Sequence, residues 1–140
     1  MRYRKQLEFL KQSGSNELHH SGRTLYKHLV GTGKMLLSYN RPEEEVLIGL
    51  FHSIYGTASY KKSKSLNMQR EEIKNLIGEY AEQAVYIFCN INPRVDKIVM
   101  EDWIPNPFRD SLRWVEYCNL SEQNSDNRYL PTLRKQVLNG

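Results

Sequence analysis

The sequence predicts an all-α protein, a bundle of about six helices. Three observations lead there. Val, Ile and Thr do not alternate at period two over any useful stretch, so strands are not indicated. Apolar residues recur instead at helical spacing. Turn-forming clusters, Ser13-Gly14-Ser15-Asn16 and Asn40-Arg41-Pro42 among them, separate these stretches. A chain of 140 residues suits one domain. Its core is expected over about residues 18–125, with a basic tail helix within 126–140.

The first helix is expected over residues 2–12, with Leu7 and Leu10 on one side. Residues 17–22 are less decided. Residues 24–39 form the clearest helix: Leu25, Leu29, Thr32 and Leu36 make one stripe, with His28 beside it. Pro42 is suited to open the next helix, about 43–54, whose buried face is Val46, Leu47, Leu50, Phe51 and Ile54. Glu43, Glu44 and Glu45 fall in its first turn, where carboxylates favour the positive end of the helix dipole. Residues 56–67 read as a polar loop. Residues 69–91 hold one long helix or two, with Gly78 as the break. Residues 92–108 carry three of the five prolines and read as irregular. A helix over 110–123 and a short basic one from about Leu130 complete the set.

Charge and cysteine usage narrow the class. The net charge of +4 is mild. The basic runs Arg2-Tyr3-Arg4-Lys5, Lys61-Lys62-Ser63-Lys64 and Arg134-Lys135 are short, which suits a solvated surface with a weak attraction for anions. Basic residues do not interleave with aromatics, so nucleic-acid stacking is not expected. No apolar run reaches membrane-spanning length, and Met1 is followed by charge rather than by an apolar leader core. The expectation is a cytoplasmic protein. Cys89 and Cys118, the two cysteines, lie among apolar residues and read as reduced core thiols. Trp103 and Trp114 read as core anchors.

The stretch Ser21-Gly22-Arg23-Thr24-Leu25-Tyr26-Lys27-His28, followed by Gly49-Leu50-Phe51-His52-Ser53, resembles the RelA/SpoT-type alarmone hydrolase domains of the HD superfamily. Arg70-Glu71-Glu72-Ile73, Ile77-Gly78-Glu79-Tyr80-Ala81-Glu82-Gln83-Ala84-Val85 and Val115-Glu116-Tyr117-Cys118-Asn119-Leu120 look like that family's later helices, in the same order. Residues 20–57 also resemble a small HD-like family with the pattern His-Ser-Gly-Arg-Thr-Leu, His-Leu-x-Gly-Thr, Gly-Leu-Phe-His-Ser-Ile-Tyr-Gly-Thr. The resemblance implies an HD-like bundle. His28, His52, Glu116 and Asn119 are the candidates to carry the chemistry, with His20, Arg23, Ser53, Tyr55, Thr57 and Gln123 as candidate substrate contacts.

The acids that the resemblance calls for are missing. Ser53 stands in place of the aspartate after the second histidine, Gly56-Thr57 in place of a Glu-Asp pair, and Asn119 in place of the last aspartate. A divalent ion needs negative charge to offset its desolvation, and His, His, Ser and Asn supply none. Glu116, three residues before Asn119 and nearly on its helix face, is the candidate to repair this. His28, His52 and Glu116 would then suit one Fe(II) or Zn²⁺ better than Mn²⁺ or Mg²⁺. With four histidines in the chain, a dinuclear site is not expected.

The expectation is a divergent HD-fold enzyme acting on a small polar, anionic metabolite, with Arg23 and His20 orienting it. Manganese-dependent alarmone hydrolysis is not expected. Two alternatives stay open: a catalytically inactive relative that binds a ligand or protein, and a site holding no metal. The imidazole pair could equally be core hydrogen-bonding residues, and Glu116, Asn119 and Gln123 a solvated stripe. No nucleic acid or membrane partner is expected, and the oligomeric state, a homo-oligomer included, is left open.

Overall fold

Two helices, those starting at Leu25 and Leu66, begin at a residue whose side-chain oxygen satisfies a backbone amide that a helix start leaves unpaired. A computed structural model describes residues 2–15, 19–20, 23–56, 65–100, 104 and 107–139, without the side chains of 14, 15, 19, 20 and 23. Thr57, Trp103, the Lys61-Lys62-Ser63-Lys64 run and the side chains of His20 and Arg23 therefore lie outside the described residues.

Helix α1 (Arg4–Leu10) continues as a π-turn over Lys11–Ser15. Strands β1 (His19–His20) and β2 (Arg23–Thr24) form a two-residue antiparallel ladder. That ladder replaces the undecided stretch over 17–22. Thr24 then caps α2 (Leu25–Ser38), its hydroxyl accepting from the Lys27 amide at 3.2 Å. Asn40, at φ 59°, ends α2 in a Schellman arrangement: the Asn40 and Arg41 amides return to the carbonyls of Leu37 and Leu36. Helix α3 (Glu43–Phe51) follows Pro42 and is shorter than the sequence predicts, with a 3₁₀ turn over Ile54–Gly56 beyond it.

Ser65 caps α4 (Leu66–Ile77), and Gly78, at φ 90°, separates it from α5 (Glu79–Asn90). The long apolar stretch is thus two helices, split at the residue that tolerates positive φ. A short helix, α6 (Arg94–Val99), lies within the proline-bearing stretch 92–108 that the sequence predicts to be irregular. Pro93 precedes its first turn, where a missing amide hydrogen does no harm. Helix α7 spans Phe108–Glu122, and α8 spans Leu130–Leu138.

The fold is all-α, with eight α-helices among the described residues. Helix α7 is its axis: residues Ser111–Leu120 are buried all round, as expected of a helix enclosed by neighbours. Helix α2 packs on α3 and α7, α3 on α5 and α7, and α8 on α7. Helices α2 and α3 cross closely at Gly33 and Gly49, where a Cβ on Gly49 would meet Leu36 Cδ1 at 2.5 Å. The core extends past both expected limits: Leu10 and Leu133 are each 0% exposed. Trp114 is buried, with Arg41 lying 4.5 Å over its ring. Both cysteines are free; Cys118 is buried and Cys89 half-buried. Among the described residues no helix is long and apolar enough to cross a membrane.

Candidate functional site

The close crossing of α2 on α3 sets His28 against His52. His28 lies in the buried stripe of α2, and His52 caps the C-terminus of α3. Their rings meet edge to face, with centroids 5.3 Å apart. Phe88 of α5 contacts the His52 ring from another side, centroids 5.5 Å apart. Helix α7 and its C-cap bring Asn119, Glu122 and Gln123 against His28, with Glu116 bonded to Asn119. That spacing keeps the four on adjoining parts of one helical surface. His28, His52, Asn119 and Glu116 are all buried.

Hydrogen bonds fix the orientation of each group. A carbonyl only accepts, so the 2.6 Å contact between His52 Nδ1 and the Gly49 carbonyl places a hydrogen on Nδ1. His28 Nδ1 lies 2.6 Å from Glu122 Oε1, and His28 Nε2 lies 2.7 Å from Asn119 Oδ1. The Asn119 amide is oriented by its own partners. Its Nδ2 donates to Glu116 Oε1 at 2.7 Å, and Gln123 Nε2 donates to its Oδ1 at 2.9 Å. Glu116 in turn accepts from Arg94 Nε at 2.5 Å.

These contacts create one electrostatic requirement. If Nδ1 of a neutral His28 donates to Glu122, then Nε2 carries a lone pair. That lone pair would face the lone pairs of Asn119 Oδ1 at 2.7 Å. Two acceptors at that distance repel unless a positive centre lies between or beside them. A hydrogen on Nε2, donated to Asn119 Oδ1, meets the requirement, as does a bound cation; the Gln123 amide, 3.5 Å from Nε2 and donating to Asn119 Oδ1, eases it.

The remaining expected residues fall differently. Glu116 is not brought to the imidazoles as a ligand, because Arg94 and Asn119 engage both its oxygens. The carboxylate on His28 is Glu122, which the sequence reading did not single out. Its signal was present: Glu122 follows Asn119 by one helical turn. Glu116 and Asn119 are buried, so they are not a solvated stripe. Tyr55 turns to another cluster, its hydroxyl donating to Glu82 Oε2 at 2.6 Å while Arg70 grips the same carboxylate at 2.8 and 2.9 Å. Ser53 is half-buried directly after His52. Residue His20 pairs with Arg23 in the β ladder, and β2 leads through Thr24 into the helix that carries His28.

Cys89 Sγ donates to the His52 carbonyl at 3.1 Å. Burial pushes the Cys89 thiol up to about 11, so it stays a thiol at neutral pH. Among the described residues no three His, Cys, Asp or Glu side chains gather as a metal site. His28 Nε2 and the Asn119 amide oxygen do meet, at 2.7 Å, and the His52 ring lies against the His28 ring.

A family model described as "Domain of unknown function (DUF6817)" matches residues 9–93, more than half of the chain, and the chain belongs to that family. No curated protein and no solved structure matches it.

Proposed function

We propose that this protein is a divergent HD-like enzyme acting on a small polar, anionic metabolite, with one cation site formed by His28, His52 and Asn119. The observation that carries the reading is the 2.7 Å approach of His28 Nε2 to Asn119 Oδ1. Both imidazoles are anchored through Nδ1 to an acceptor, Glu122 for His28 and the Gly49 carbonyl for His52. Metal-binding histidines characteristically donate the other ring N–H in this way, which fixes the tautomer and aims Nε2. Glu122 lends negative charge through the His28 ring, partly replacing the aspartates for which Ser53 and Asn119 stand. Two imidazoles and an amide oxygen suit Fe(II) or Zn²⁺ better than Mn²⁺ or Mg²⁺. A metal there would polarise a substrate oxygen or activate water. Arg23 and His20 would orient the anionic group.

A second reading is favoured by the charge balance. Arg94, Glu116, His28 as imidazolium and Glu122 alternate in sign along one hydrogen-bonded chain that also includes Asn119. Their charges sum to zero, so no ion is needed to neutralise the set. The protein would then be a catalytically inactive ligand- or protein-binding module. Elemental analysis of protein purified without chelators separates the two. About one equivalent of iron or zinc, lost in His52→Ala, is expected. Absence of metal, together with a doubly protonated His28 in nitrogen NMR spectra at neutral pH, would replace the enzyme reading with the second.

A further inference from the structure

The Glu122 carboxylate reaches His28 by lying against the backbone of α2, and only a residue without a side chain leaves it room. A Cβ built on Gly31 would stand 2.3 Å from Glu122 Oε2, 2.8 Å from Cδ and 3.0 Å from Cγ. Glycine in the middle of a helix weakens that helix, so its place here calls for a packing reason. We infer that Gly31 is a positioning residue: it forms a notch in α2 that admits the Glu122 carboxylate and so fixes the ring orientation and tautomer of His28. The inference deepens the reading of the same site and rests on it.

The atoms that a Cβ would strike belong to the far end of a flexible side chain. The carboxylate yields to an added methyl group, and the helix does not. Gly31→Ala therefore keeps or improves helix stability while displacing Glu122 from Nδ1. The variant separates two properties that a general packing defect would change together.

The test compares wild type, Gly31→Ala, Glu122→Ala and the double variant in three measurements: thermal melting, the hydrogen-bonded Nδ1–H resonance of His28, and zinc affinity by chelator competition. Gly31→Ala is expected to melt no lower than Glu122→Ala, to lose that resonance, and to bind zinc about 10–100-fold more weakly. In the Glu122→Ala background the glycine substitution should change neither the imidazole signal nor the affinity, because its effect passes through Glu122. An unchanged resonance in Gly31→Ala overturns the inference. So does a melting temperature markedly below that of Glu122→Ala, which would mean that the helix gave way. Failure of wild type to bind zinc would sink the metal reading alone, since the imidazole signal still decides the role of Gly31.

Discussion

At the residue scale, Asn119 is the position where chemistry and stability pull apart. Restoring the aspartate expected there, Asn119→Asp, replaces a donor to Glu116 with an acceptor. Two buried carboxylates would then face each other across the 2.7 Å now closed by a hydrogen bond. The metal-free variant should lose about 1–3 kcal/mol, by the cost of an unsatisfied buried polar group. If the site takes a cation, zinc should restore the melting temperature of the variant more than it raises that of wild type. A variant as stable as wild type without metal would show that the amide is not oriented as described. The two imidazoles and Asn119 were legible in the sequence because their order and spacing resembled a known pattern. Glu122 and Arg94 were not. A carboxylate in the last turn of an amphipathic helix, and an arginine just after a proline, look like ordinary surface residues until packing buries their partners.

At the scale of elements, α8 illustrates how the sequence reading divides. Its existence and start were legible from Leu130 onward, but not its role. A short basic segment at the end of a chain reads as an appendage, yet Leu133 is fully buried and α8 packs along α7, the helix that carries the site. Leu133→Ala should cost about 2–5 kcal/mol by cavity formation, measured by denaturant unfolding. A loss below 0.5 kcal/mol, the usual range for surface changes, would mean that α8 is peripheral. The break at Gly78 followed from local chemistry alone. Helix α6 did not, because proline signals a boundary without saying whether a helix ends or begins there.

At the scale of the whole molecule, the thiols govern behaviour in alkali. Burial pushes Cys118 up to about 12 and Cys89 up to about 11, both above the ordinary 9.0. The folded state therefore keeps these protons longer than the unfolded state does. Stability from this source is fully present below pH 9, and is lost as pH rises from about 9 toward 12. Replacing both cysteines with alanine should flatten that alkaline decline, read from melting temperatures across the pH range. An unaltered slope would assign the decline to other groups. Neither thiol should react with an aromatic disulfide reagent in the native state at neutral pH, and both should react on unfolding.

The chain from Arg94 to His28 begins at a guanidinium that is 39% exposed and continues at once to a carboxylate that is 0% exposed. The innermost chemistry of this protein is thus electrically tethered to its rim. Arg94→Ala would strand the Glu116 charge in the interior, at a cost of about 3 kcal/mol, and tilt the Asn119 amide that faces the imidazole. In a stability assay coupled to the His28 NMR signal, both readouts should move together. An alteration at the periphery would then behave as a lesion at the centre, and a survey of damaging variants confined to the histidines would overlook it.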